Sequence, residues 1–217
     1  VAKRQNTETF FSIADRVGTF LFANFIWVVL SMTIIGIPVA TIGIFAMMNR
    51  IIQGQQPEFF RVFLGAIRDH WRKVLIIAAL DIAVGGLVFI NYNIFLIMGL
   101  DNFIAILSMT MTICVTVILI MVNIYVWSYM SLLDLSARNL IKLSLIFGLS
   151  YPFTSLGITT MFLLPFVITI FLPIAFLIFI TVSASAYIGA RGAWYVLNKH
   201  FDEGDLDQLM YDSNVVL

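Results

Sequence analysis

In the run KVLIIAALDIAVGGLVFI, residues 73–90, one carboxylate, Asp81, stands among apolar side chains. An acidic group inside such a run costs about 2.5–3.5 kcal/mol at mid-helix on insertion scales, and ordinarily faces a helix bundle or a cavity. Two kinds of chemistry are open to it: proton or cation coupling in a carrier, or a polar contact to another helix or a partner subunit. Asn24 and Asn123 are the amides in other apolar runs that could meet it. Asn91 and Asn93, further along the same run, are expected at the outer interface.

Other residue types that carry catalysis do not assemble into a site. The two histidines, His70 and His200, fall at the edges of apolar runs, and neither belongs to an HExxH zinc pair. Gly148-Leu149-Ser150 has the Gly-x-Ser opening of some intramembrane serine proteases, but no histidine at membrane depth could activate the hydroxyl. An aspartyl protease needs two facing carboxylates, and the runs offer Asp81 alone. Neither a Walker A loop nor a dinucleotide-binding glycine pattern occurs. The single cysteine, Cys114, lies in an apolar run, which excludes a disulfide framework or thiol metal site and leaves a small packing residue. The expectation is a protein that is not an enzyme and needs no cofactor or metal.

The elements that must position Asp81 follow from composition. Of 217 residues, 61% are hydrophobic and 11% charged, against about 25% charged in soluble domains. Lys and Arg total twelve, as do Asp and Glu, so net charge gives no sign of a nucleic-acid partner and none is expected. Apolar runs occur at 17–35, 37–52, 74–98, 103–131, 153–171 and 173–191, and several exceed the roughly 20 residues that cross a bilayer core. The first lacks a small-x-small cleavage pattern and precedes further runs, so it reads as a retained span and not a signal peptide. As one helix, 17–52 would extend about 54 Å, too long for a single crossing of about 30 Å. A turn is therefore expected at Gly36-Ile37-Pro38, and Pro173 splits 153–191 in the same way. The run 37–52 is short, which leaves a tilted or re-entrant helix open.

The predicted fold is an all-α, polytopic transmembrane bundle forming one domain over 1–217, with six spans in three hairpins. The basic residues support it. Lys3, Arg4 and Arg16 precede the first span, Arg50 to Lys73 lie between the second and third, Arg138 and Lys142 follow the fourth, and Arg191 and Lys199 follow the sixth. All fall on one side, which the positive-inside rule makes the cytoplasm. Both the segment 1–16 and the tail 192–217 are then cytoplasmic.

Three stretches on that side are amphipathic. In PEFFRVFLGAIRDHWR (57–72), Phe60, Phe63, Ile67 and Trp71 recur at helical spacing while Arg61, Arg68 and Arg72 lie elsewhere on the helix. ETFFSIADRV (8–17) and SARNLIKLSLIFGLS (136–150) are weaker examples. They are expected along the inner interface with basic groups toward lipid headgroups, as anchors or as a docking surface. Ser185, Gly189 and Ala193 form a small-xxx-small stripe that allows close helix approach, within the chain or with another protein.

Two long stretches also carry a resemblance. NFIWVVLSMTIIGIPVATIGIFAMMNRIIQG (24–54), continued by FFRVFLGAIRDHWRKVLIIAAL (59–80), has an early Asn and Trp, a Gly-x-Pro turn and a second helix ending in Arg and Gly. YVWSYMSLLDLSARNLIKLSLIFGLSYPFTSLGI (125–158) has an aromatic span end, a Leu-rich turn and a Lys-bearing helix. Together, over roughly 10–200, they resemble the YesL-like family of bacterial integral membrane proteins, a domain of unknown function. Where that family commonly has Phe-Pro, this chain has Trp127-Ser128-Tyr129, so a shared kink there is not carried over.

Members of that family are commonly encoded beside carbohydrate ABC importers. The resemblance therefore implies a bacterial cell membrane protein acting as a non-catalytic accessory subunit in sugar or oligosaccharide uptake. Its partners would be the permease subunits and, through them, the ATPase and the solute-binding protein. It supplies no catalytic residues. The chain itself does not read as a permease, because SARNLIKLSLIFGLS lacks the Glu-Ala-Ala opening of the permease coupling helix. The alternative is a stand-alone carrier or channel with a midplane polar site of Asp81, Asn24 and Asn123.

Overall fold

The computed structural model describes residues 17–55, 58–99, 101–173, 175 and 177–200. The expected amphipathic start at 8–16, Pro57, Lys3, Arg4 and Arg16, and the end of the tail from 201, lie outside the described residues. The described chain is helical throughout, with no strand. In order it forms α1 (Val17–Leu30), α2 (Gly36–Ile52), α3 (Phe59–Met98), α4 (Phe103–Met130), α5 (Ala137–Ser150), α6 (Pro152–Ile170), a π-helical turn (Leu177–Thr181) and α7 (Val182–His200).

The first turn comes slightly earlier than expected. α1 ends at Leu30, and residues 31–35 reverse the chain through Thr33 N–H to Leu30 O (3.3 Å) and Gly36 N–H to Thr33 O (2.9 Å). Gly36 and Pro38 open α2, where proline's missing N–H costs nothing. A Cβ at Gly36 would lie 1.8 Å from the Leu30 carbonyl oxygen, so only glycine lets the two helices meet this closely. α2, about 25 Å long, is the most enclosed helix: Ala40, Ile42, Ile44, Met47 and Met48 have no exposed surface.

Three expected boundaries fall elsewhere. The interfacial helix at 57–72 and the span at 74–98 are one 40-residue helix, α3, with a contour of about 60 Å. No glycine cap or proline separates the two stretches, so nothing in the backbone stops the hydrogen-bond ladder at Lys73. Residues 192–200, expected in the tail, continue α7 and bury Val196 and Leu197. The sixth run likewise does not start as a helix at Pro173 but passes through the π turn before α7.

α3 and α4 form an antiparallel hairpin. α7 runs beside α4 in the same direction: Gly189 approaches Ile124, and the Tyr129 hydroxyl donates to the Ala193 carbonyl (3.1 Å). α6 returns against α7, with Phe162 near Gly189 and Ile158 near Gly192. The core gathers around α2, the C-terminal part of α4, α5 and α7, including Tyr125, Tyr129, Leu133, Leu140, Phe147 and Leu197. Much of the remaining apolar surface is open, with Phe153 89%, Ile97 85% and Phe103 75% exposed. In water such surface would invite aggregation; against lipid tails it costs nothing, because tails are as apolar as leucine.

Candidate functional site

Asp81 lies on α3 about 12 Å along the helix from Lys73, half-buried against α4. Asn123 Nδ2 donates to its Oδ1 at 2.9 Å and also to the Leu119 carbonyl at 3.1 Å. Asn123 Oδ1 in turn accepts from Trp127 Nε1 at 3.0 Å. The chain of donors ends at the carboxylate. The second carboxylate oxygen has no hydrogen-bond donor among the described residues, and Asp81 lines a crevice of about 350 Å³ between α2, α3, α4 and α6, with Thr41, Phe45, Ile124 and Phe162. Thr41 is itself engaged, accepting from Trp27 Nε1 at 3.1 Å and donating to the Ile37 carbonyl.

The Asp81–Asn123 contact is one of three polar pins along the hairpin. At one end Lys73 Nζ donates to Asp134 Oδ1 (2.9 Å). Toward the other, Asn91 donates to the Ser108 carbonyl (3.2 Å) and to the Thr112 hydroxyl, and accepts from Ser108 Oγ (2.7 Å). Positions 73, 81 and 91 fall within about 80° of one another on a helix and cover about 27 Å, nearly the thickness of a hydrocarbon core. Asn91 is thus a helix-to-helix link toward the far end of the hairpin, whereas Asn93 is exposed and bonds its own helix at Phe89.

Asn24 does not join Asp81. It is fully buried, and its Oδ1 accepts the backbone N–H of Ser183 at 2.8 Å, while Ser183 Oγ donates to the Phe20 carbonyl. Ser183 is the second residue of α7, with Val182 alone between it and the π turn. A backbone donor there has no water to turn to, and α1 supplies the acceptor. The midplane trio therefore separates into a pair on α3–α4 and a cap on α7.

Ser185, Gly189 and Ala193 are all buried. A Cβ on Gly189 would lie 3.0 Å from Phe162 and 3.1 Å from Ile124, so the stripe packs against α4 and α6 of the same chain. Arg61, Arg68 and Arg72 remain on the surface: Arg61 is 4.0 Å from Glu58, Arg68 is 3.6 Å from Asp69, and Arg72 lies over the Trp71 ring. Exposed pairs of this kind contribute about 0–1 kcal/mol. Beside them Phe60, Leu64 and Trp71 are also exposed, an apolar strip against a basic one.

Sequence reasoning passed over Asn49. It is buried at the end of α2, where its Nδ2 donates to the Ser128 carbonyl (2.9 Å) and Ser131 Oγ (2.6 Å) of the α4 end. The signal was an amide directly before Arg50 closing an apolar helix. Tyr125, sharing a hydrogen bond with Ser155 (2.8 Å), ties α4 to α6 in the same way. Among the described residues no three His, Cys, Asp or Glu side chains come together.

α3, α4 and α6 are each long and apolar enough to cross a membrane, and α1 and α2 are shorter apolar helices. The class of protein these helices point to is a helical membrane protein in a lipid bilayer. Over residues 20–92, about a third of the chain, the sequence is similar to the family described as protein of unknown function DUF624. That stretch covers α1, α2 and most of α3, and so includes Asn24, Gly36, Asn49 and Asp81. The match is consistent with the YesL-like resemblance. No curated protein matches the chain, and no solved structure does.

Proposed function

We propose that this protein is a non-catalytic accessory subunit of a bacterial carbohydrate ABC importer, packed in the cell membrane beside the permeases, with both termini cytoplasmic and six membrane segments. The observation that carries the reading is that the polar side chains at depth on α3 and α4 link the two helices to each other. The apolar faces of α3, α4 and α6 are left open. Groups arranged in this way hold a hairpin together; among the described residues they form no relay leading through the protein. The importer setting is what the YesL-like resemblance implies, and the DUF624 match is consistent with that resemblance.

A second reading rests on the crevice at Asp81. A carboxylate with one oxygen held by Asn123, lining a cavity of about 350 Å³, would serve as a cation or proton site in a stand-alone carrier. Purification from the native membrane in mild detergent separates the two. Stoichiometric permeases and ATPase are expected. A clean monomer or homo-oligomer would overturn the subunit reading and favour the carrier, in which Asp81→Asn should abolish pH-dependent uptake.

A further inference from the structure

One face of α7 has no place in the packing just described. Arg191, Trp194, Tyr195, Asn198 and Lys199 recur at i, i+3, i+4, i+7 and i+8, which puts them on one side of the helix. Ala190, Ala193, Val196 and Leu197, on the other side, are buried in the core. The exposed side forms an open cleft of about 690 Å³ with Ile52 and Gln53 at the end of α2. It belongs to the end of the bundle where Lys73 meets Asp134, because Ala193 sits beside Tyr129 and α7 runs on in the direction of α4.

The cleft is rich in donors. Its described lining has two cations and no carboxylate. Lys199 rests over the Tyr151 ring, 5.1 Å from its centre, and a cation in a last helical turn is favoured by the helix dipole alone. Arg191 lies more than two turns earlier, where that explanation does not apply, and its guanidinium has no ion pair or hydrogen bond among the described residues. The indole N–H of Trp194 is buried and has no acceptor among the described residues either. That indole nitrogen is shut away from solvent, so the groups open to a ligand are the two cations, which suit an anion. Guanidinium and phosphate match in a two-pronged geometry, and Trp and Tyr are the side chains enriched at headgroup depth.

We propose that this cleft binds a phosphate group, with Arg191 as its main anchor and Lys199 as a second charge. The phosphate comes from an anionic lipid headgroup or from a soluble phosphate compound. The proposal is independent of the importer reading.

The test uses the full-length protein, delipidated in a neutral detergent. Binding of phosphatidylglycerol, phosphatidylcholine and inorganic phosphate is followed by native mass spectrometry and by thermal shift. Saturable phosphatidylglycerol binding at one site per chain, weakened about tenfold or more in Arg191→Gln, supports a lipid source. Phosphate binding with the same loss in Arg191→Gln, and no preference for phosphatidylglycerol over phosphatidylcholine, supports a soluble source. Arg61→Gln serves as a control of equal charge change on exposed α3. Equal weakening by Arg61→Gln and Arg191→Gln, or no saturable binding of any probe, would overturn the proposal.

Discussion

Replacing Asp81 with leucine should leave the protein as stable as before or more so, an outcome opposite to that for its partner. In Asp81→Leu, the chain no longer carries a carboxyl into the apolar run, a cost of up to about 2.5–3.5 kcal/mol at mid-helix. It loses one interhelical hydrogen bond, which in a membrane averages about 0.6 and reaches about 1.7 kcal/mol. No donor is orphaned, because Asn123 Nδ2 still reaches the Leu119 carbonyl and Asn123 Oδ1 still accepts from Trp127. The net effect is about 0.8–2.9 kcal/mol of stabilisation at mid-helix, and less toward the interface. Asn123→Leu removes the acceptor of the buried Trp127 N–H and the donor to Asp81 together. At about 1–3 kcal/mol for each group left unpaired, it should destabilise by several times the hydrogen-bond average. Reversible unfolding in mixed micelles, followed by circular dichroism, measures both, and the double variant isolates the coupling. A loss of more than about 2 kcal/mol in Asp81→Leu would refute the reasoning, since it exceeds what one such bond supplies.

Asn24→Ala should cost about 1–3 kcal/mol by stripping the buried Ser183 N–H of its acceptor, visible as faster amide exchange at Ser183 and a lower melting temperature. Gly189→Leu should prevent assembly of the α4–α6–α7 packing, because even a methyl there already touches Phe162 and Ile124. Overpacking of this kind costs about 1–3 kcal/mol or more, read as loss of the monodisperse folded species on size exclusion in detergent. Burial, reinforced by Lys73, holds the His70 imidazole below its usual value, with Asp69 and Asp134 pulling the other way. The unfolded chain then takes up the proton first, so stability is full above about pH 6.5 and falls as the pH drops below it. The melting temperature in detergent should decline from pH 7 toward pH 5, and His70→Phe should flatten that decline. Asp134, held below the usual carboxylate range by the hydrogen bond from Lys73, acts later: its contribution is present at neutral pH and lost only as the pH falls below about 3.9. Being mostly exposed, it supplies under about 1 kcal/mol.

Several features were legible in the residues alone. The apolar runs mark the helices because any segment inside hydrocarbon must satisfy its own backbone, and only helices do so one segment at a time. Gly36 and Pro38 mark the reversal because one permits close approach and the other suits a first helical turn. The spacing of Asp81 along its helix from Lys73 followed from counting residues. What the residues could not supply was pairing. Asn24, Asn91 and Asn123 are chemically the same amide in similar apolar surroundings, yet Asn123 meets Asp81, Asn91 pins the far end of the hairpin, and Asn24 caps the backbone of α7. Each amide has the same donors and acceptors, so the partner depends on which helices lie side by side and at what register. Likewise the small-residue stripe announces close packing but not against what; the tertiary arrangement directs it to α4 and α6 and leaves the Arg191–Trp194 face of α7 as the open one. Helices in lipid are sorted by shape and by a few hydrogen bonds, with no hydrophobic gain between them to read from composition. That sorting is a property of the assembled bundle, and only the bundle records it.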